Sequence, residues 1–205
     1  LVAAYLALTD TVRIGTAYGP TFRNITAIKI SDNVATDEDE PEVLYSGCHH
    51  ARELMSVEIP LMFATYLLQN YGIDATVTNY VNTREIYCLP ILNPDGLAYV
   101  QANHGGANST WWRKNRRNNG DGTYGVDLNR NYSYQWGYDN IGSSPSTSNA
   151  TYRGPSAFSE PETQALRDFC AEREFTSWLS YHTYGELLLY PWGYIPEFTP
   201  DQKVF

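Results

Sequence analysis

Glu42-Val43-Leu44-Tyr45-Ser46-Gly47-Cys48-His49-His50-Ala51-Arg52-Glu53 is the stretch that decides the fold. Its first six residues read as a strand, which delivers His49, His50 and Glu53 to its carboxyl end. The next segment, Ser56 to Tyr71, repeats apolar residues at helical spacing and sets Ile59, Met62, Phe63, Tyr66 and Leu67 on one face. Pro60 is tolerated in its first turns and Gly72 is its stop. Strand, polar loop and amphipathic helix in that order make the unit of α/β proteins, whose sites lie at the carboxyl ends of strands.

Toward the amino terminus, Leu1 to Leu8 reads as the end of a helix. Thr11 to Ala17 and Arg23 to Ile30 alternate polar with apolar residues as paired strands do, with Gly19-Pro20 as their turn. A polar stretch, Ser31 to Pro41, leads into the deciding strand. Beyond the long helix, Glu85 to Leu92 reads as a further strand closed by the turn Asn93-Pro94-Asp95-Gly96. From Gln101 to Thr151 the chain is rich in Gly, Asn, Ser, Trp and Tyr without periodicity, and loops of that length in a compact domain are usually functional. Ser159 and Glu162 have capping-box spacing for a helix running to about Arg173, and Thr176 to Tyr181 reads as a strand ending at His182. The alternation predicts a single α/β domain over residues 1–205: a mixed, mostly parallel central sheet with helices on both faces.

With 205 residues and 42% hydrophobic content, the chain can bury a substantial core. A net charge of -9 argues against nucleic acid and anionic membrane surfaces as partners. No apolar run is long enough to span a bilayer, and Leu1 to Leu8 lacks the flanks of a leader peptide. Cys48, Cys88 and Cys170 show no metal-type spacing, and the first two sit in strand-like runs as small hydrophobes. The 17 Tyr and 5 Trp point to an extracellular or surface-active protein.

His50 and Glu53, at i and i+3, can turn toward one metal ion, and His182 at the end of an apolar run can close the set. Two imidazoles and one carboxylate leave the fourth position of a tetrahedral zinc open to water, the layout of a hydrolytic rather than a structural metal. The acidic stretch Asp37-Glu38-Asp39-Glu40-Pro41-Glu42, with Ser31 and Asp32, reads either as a solvated loop or as an oxygen cage of the kind calcium takes.

The segments His49-His50-Ala51-Arg52-Glu53, Asn93-Pro94-Asp95-Gly96, Trp112-Arg113-Lys114-Asn115-Arg116, Gly125 to Asn131, Tyr152-Arg153-Gly154 with Phe158-Ser159-Glu160-Pro161-Glu162, and His182-Thr183-Tyr184 ahead of Leu188 to Tyr194 resemble, in this order, the zinc carboxypeptidases of peptidase family M14. The likeness covers essentially the whole chain, and the bacterial carboxypeptidase T branch looks nearest. It implies zinc on His50, Glu53 and His182, with Asp127 orienting His50 through its distal N–H. It implies Arg130, assisted by Asn129, as the clamp on a substrate's free carboxylate, a task suited to the planar guanidinium fork. Arg116 would face the scissile carbonyl and stabilise the developing oxyanion. Arg52 and Arg113, with Tyr184, would line subsites for upstream residues. The carboxypeptidase T likeness further implies structural calcium held by Ser31, Asp32, Glu38, Glu40, Glu42 and Glu85.

The family's mechanism also uses a glutamate base and a tyrosine that closes over the substrate, both normally well beyond the third zinc ligand. Neither has a counterpart before Phe205, so the chain reads as the amino-terminal portion of one catalytic domain whose carboxy-terminal part is absent, inactive by itself. The resemblance makes the intact protein a secreted, monomeric metallocarboxypeptidase acting on peptide and protein C-termini. The alternatives are a non-catalytic zinc or peptide C-terminus binding module of the same fold and, less well matched by Arg116, Asn129 and Arg130, an amidase. The sequons at Asn24, Asn108, Asn131 and Asn149 read as accidental.

Overall fold

The computed structural model describes residues 1–104 and 111–205, so the sequon at Asn108 lies outside the described residues. Strands β1 (Thr9–Thr16), β2 (Asn24–Ile30), β3 (Glu42–Ser46), β4 (Glu85–Leu89) and β5 (Phe175–Ser180) form a sheet in the order β1-β2-β4-β3-β5. β1 with β2 and β2 with β4 are antiparallel, whereas β4 with β3 and β3 with β5 are parallel. The mixed sheet is as expected, and its parallel half carries the site.

All five residues of β4 are buried, as a strand covered on both faces requires. Tyr87 and Leu89 pack with Leu44, Leu166 and Phe169 on one face; Ile86 and Cys88 pack with Ala64, Leu67 and Leu68 on the other. Helix α4 (Pro161–Ala171) supplies the first cover, and α1 (Met55–Asn70) with α2 (Ala75–Val81) the second. Cys48 and Cys88 are buried free thiols, pushed up to about 12 by burial.

Several local expectations are corrected. Only Val2–Ala4 of the first eight residues forms a helical turn, a single 3-10 turn. Helix α1 buries Ser56, Val57, Pro60, Ala64, Leu67 and Leu68, while Met62 and Tyr66 face outward. The small residues at 56, 60 and 64 form an i, i+4 ridge that lets the helix sit close to the sheet, and that closeness outweighs the bulk of the other face. α2 is unexpected because its Thr and Val residues favour strands; Asp74 starts it by accepting the N–H groups of Thr76 and Val77, and Val77 and Val81 anchor it in the core. The turn at Asn93 opens helix α3 (Pro94–Ala102), with Asn93 accepting from Gly96 N–H and Pro94 at the first position. The Ser159–Glu162 capping box does not form. Glu160 is the N-cap residue, Ser159 Oγ donates to the Glu160 carboxylate, and Glu162 turns inward instead.

That inward turn builds a buried joint. Asn115 Nδ2 donates to Glu160 at 2.8 Å and lies 3.3 Å from both Glu162 oxygens, while Asn115 Oδ1 accepts Val126 N–H at 2.8 Å. Tyr18 N–H and Arg117 add bonds to Glu162 and Glu160. The segment bearing Arg113 is thus fixed to the one bearing Asp127 and to the start of α4. At Gly125, with φ +82°, an added Cβ would lie 2.5 Å from Asn115 O, so this approach requires glycine.

Burial pushes the Glu162 carboxyl from its ordinary 4.5 up to about 8. The folded state therefore keeps a proton that the unfolded chain has released, and this contribution to stability is full below the unfolded value and lost as pH rises through the folded one. Glu162→Gln, neutral at every pH, removes that loss. Denaturant unfolding is expected to show the difference between native and variant protein moving against the native protein between about pH 5 and about pH 8.

Candidate metal centre

β3 ends at Ser46, and the chain must leave the sheet sharply to begin α1. Gly47 permits it: a Cβ there would lie 1.9 Å from Ser56 O. Cys48 follows at φ +55°, its N–H donating to Ser56 Oγ. Asn93, fully buried, then fixes the next residues through bonds from Nδ2 to His49 O (3.1 Å) and Lys114 O (3.2 Å), and Ala51 N–H donates to Arg113 O. A tight turn, Glu53 N–H to His50 O, sets His50 and Glu53 side by side. The register that places Ser46 opposite Ser180 brings His182 to the same point.

There His50 Nδ1 lies 2.8 Å from Glu53 Oε1, His182 Nδ1 3.0 Å from Glu53 Oε2, and the two Nδ1 atoms 3.2 Å apart. On its far side, His50 Nε2 lies 3.1 Å from Asp127 Oδ1. An ionised carboxylate only accepts, so Asp127 fixes the proton on Nε2 and leaves the Nδ1 lone pair of a neutral ring aimed inward. Asp127 is placed by its own backbone: its N–H donates to Tyr152 O, and its Oδ1 caps the 3-10 turn Leu128–Arg130 through Asn129 N–H.

Burial opposes ionisation of Glu53, but hydrogen bonds from His182 and His50 outweigh it and hold the carboxyl well below the usual range. Asp127 is likewise held low against burial by His50 and Arg113. In His50, bonds to Asp127 and Glu53 overcome burial and raise the affinity for a proton. The site is thus built around positive charge between anionic oxygens. His50, Glu53 and His182 each offer a ligand atom within 4.8 Å of the others, and this donor set suits zinc.

Of the arginines, Arg113 reaches this centre. Its Nε donates to Asp127 Oδ2 at 2.9 Å and its Nη1 lies 3.8 Å from Glu53 Oε1. Arg116, expected to face the scissile carbonyl, makes its contacts with aromatic rings and lines the same cavity as Arg113. Its guanidinium packs over the rings of Tyr99, Trp112 and Tyr124, with centroids at 3.7, 4.7 and 5.0 Å. Stacking on three rings holds it where a short Trp-Arg-Lys-Asn-Arg spacing gave no sign of direction. Arg52 donates to Trp111 O, and Arg130 spends Nε and Nη1 on the carbonyls of Gly142 and Asn129. Tyr184 is exposed. Beside the centre lies a cavity of about 600 Å³ whose walls include Arg52, Arg113, Lys114 and Arg116.

The acidic stretch divides in two. Asp32, Glu38 and Glu40 approach one another, with Glu38 Oε2 and Glu40 Oε2 buried without partners among the described residues. Glu42 and Glu85 form with Asp37 a second group whose ligand atoms lie within 4.8 Å of one another, and there Glu85 also pairs with Lys29 at 2.6 Å and Glu42 with Arg173 at 3.1 Å. Ser31 is buried, and its Oγ accepts Asn33 N–H.

Sequence reasoning missed four residues here. Asn93 and Asn115 lie inside quoted motifs, but their clamping roles emerge only once four segments meet. His49, fully buried, bonds Tyr132 OH at 2.7 Å and packs its ring 5.3 Å from that of His182; burial pushes its proton affinity well down, so it buttresses as a neutral ring. Asn131, the third sequon, is buried with its amide bonded to Arg153 O, Ser156 O, Ser159 Oγ, Glu160 N–H and Thr163 Oγ1.

A family model described as zinc carboxypeptidase matches residues 1–205, and the chain belongs to that family. It is 38% identical over 180 residues to the zinc carboxypeptidase of Saccharothrix mutabilis subsp. capreolus, an alignment spanning 84% of this chain and 40% of the relative. It is 32% identical over 196 residues to carboxypeptidase A2 of Rattus norvegicus, spanning 95% and 44%. Among solved structures, carboxypeptidase A from Helicoverpa armigera superposes with a TM-score of 0.83 at 30% identity, covering 99% of this chain and 47% of that one. The chain thus spans less than half the length of these relatives.

Asp127→Asn keeps the shape but can present an N–H to His50 Nε2, which breaks the tautomer argument. Zinc affinity, read by competition with a chelator, is expected to fall about 10- to 100-fold.

Proposed function

We propose that the intact protein is a secreted, monomeric zinc metallocarboxypeptidase that removes carboxyl-terminal residues from peptides and proteins. The convergence of His50, Glu53 and His182 within 4.8 Å, backed by Asp127, is the observation that carries this reading. Family membership agrees with it. Zinc, when bound, would activate a water molecule and polarise the scissile carbonyl.

The chain's own residues supply the rest. Asp127 holds the His50 tautomer. Arg113, already anchored at the centre by Asp127, takes the role first assigned to Arg116 and donates to the carbonyl oxygen as negative charge builds there. Arg130, pinned by two backbone carbonyls, turns its remaining donors with Asn129 onto the substrate's free carboxylate. Arg52 and Tyr184 border upstream residues. The general base and the closing tyrosine belong to a portion of the protein following this one, which would also cover the exposed Trp178 and Leu179 of β5 and the exposed run Leu187 to Leu189.

The test uses full-length, zinc-loaded protein on a blocked dipeptide and on its carboxamide. The free acid should be cleaved with strict dependence on zinc and the amide should resist, while Arg130→Met should raise KM about 10- to 100-fold, as loss of a charge-assisted pair does. Equal cleavage of acid and amide would end this reading.

Structural calcium belongs to the same proposal, placed at Asp32, Glu38 and Glu40 with Ser31 nearby, the acidic group that forms no ion pair among the described residues. The unpartnered buried oxygens of Glu38 and Glu40 favour it. So does Glu40 itself, whose carboxyl is raised by burial and by the charges of Glu38 and Asp32, a cost that a cation would relieve. Calcium at about 1 mM should raise the melting temperature of the native protein and leave that of Glu40→Gln unchanged; an equal rise in both would exclude this site.

A further inference from the structure

The cavity beside the metal centre has an electrostatic imbalance that the proposed chemistry uses only in part. Arg52, Arg113, Lys114 and Arg116 lie in its walls, and no carboxylate among the described residues does. The six residues between His104 and Trp111 are Gly, Gly, Ala, Asn, Ser and Thr, so they add no charge. Arg113 is neutralised by Asp127 and Glu53. The other three cations form no ion pair among the described residues.

Their hydrogen bonds are equally sparse. Lys114 Nζ donates to Thr147 O and Arg52 to Trp111 O, both neutral carbonyls. The Arg116 guanidinium has no hydrogen-bond acceptor among the described residues, although three aromatic rings hold it in place. Two carboxylates outside the walls reach Lys114 by charge alone: Asp127, already bound to His50 and Arg113, and Asp121, which accepts from the Thr123 and Thr147 hydroxyls. In a chain carrying a net charge of -9, three cations gathered without carboxylate partners amount to a prepared anion site. Caged aromatics keep the Arg116 fork fixed, so little conformational freedom is lost when an anion arrives.

Position selects the occupant. Arg113 is shared between the cavity and the metal centre, whereas Arg130, the proposed carboxylate clamp, lies outside the walls. On the carboxypeptidase reading, a peptide held at its end by Arg130 and crossing the centre would enter the cavity with residues amino-terminal to the scissile bond. We propose that the cavity binds acidic side chains at those upstream positions, so that the protein selects peptides with carboxylates shortly before the residue it removes. This assignment rests on the carboxypeptidase reading for its direction, but the anion site itself does not.

The experiment separates the two. A blocked peptide with glutamates ahead of two alanines and an amide end cannot use the Arg130 clamp; its binding to the full-length protein is followed by tryptophan fluorescence beside a glutamine counterpart. The acidic peptide should bind about 5- to 10-fold more tightly at about 20 mM salt, three partly exposed charge contacts each being worth a fraction of a kcal/mol. Arg116→Gln combined with Arg52→Gln should abolish the difference, and Arg116→Lys should keep most of it. If the double variant fails to fold, raising salt to about 300 mM with native protein should erase the preference. Equal binding of the two peptides, or a preference unmoved by salt, would overturn the proposal. In turnover, cleavage indifferent to upstream glutamate would also overturn it, whereas tight binding of the acidic amide by a protein that cleaves nothing would strike only at the peptidase reading.

Discussion

Parallel pairing of β3 with β5 is the constraint on which the site depends. Ser46 and Ser180 face each other, and Tyr181 N–H donates to Ser46 O at 2.8 Å just past that pair. Two strands that end level deliver two histidines to one point, although His50 and His182 stand 132 residues apart in the chain. A shift of one residue in this register would turn every side chain of β5 to the opposite face and carry His182 away. The candidate metal ligands are therefore set by backbone hydrogen bonds, and the chemistry of His50 is tuned afterwards by Asp127.

The second layer of control lies in buried amides. Asn93 ties His49 to Lys114, and Asn115 ties Val126 to Glu160, so the turns that carry His50, Arg113 and Asp127 move as one body. Each amide satisfies backbone groups that would otherwise be buried unpaired, at a cost of about 1–3 kcal/mol apiece. Irregular backbone around the centre is thereby cross-linked where no sheet hydrogen bonds reach.

How much of this was legible in the sequence varied with the range of the interaction. His50, Glu53 and His182 were readable because ligand types at strand ends constrain one another chemically, and Asp127 followed from the resemblance. β1 to β5 were placed within a few residues by alternation and apolar runs. α2 was hidden because its Val and Thr residues look like a strand until the core claims Val77 and Val81. The contacts of Arg113 with Asp127 and Glu53, and of Arg116 with Tyr99, Trp112 and Tyr124, were hidden because residue spacing in an irregular loop carries no direction. Glu42 and Glu85 read as cation ligands, but their pairing with Arg173 and Lys29 was hidden because those cations come from distant segments.

The burial of Asn131 bears on how the protein can be produced. Its carboxamide nitrogen donates to three oxygens at 2.8–3.0 Å and its oxygen accepts two more bonds, which leaves no room for a glycan. Were an oligosaccharide transferred to this sequon before folding, the loop behind Asp127 could not close on α4. Hosts that lack the transferase, or a Ser133→Ala substitution that erases the acceptor motif without touching Asn131, are the production routes this packing favours.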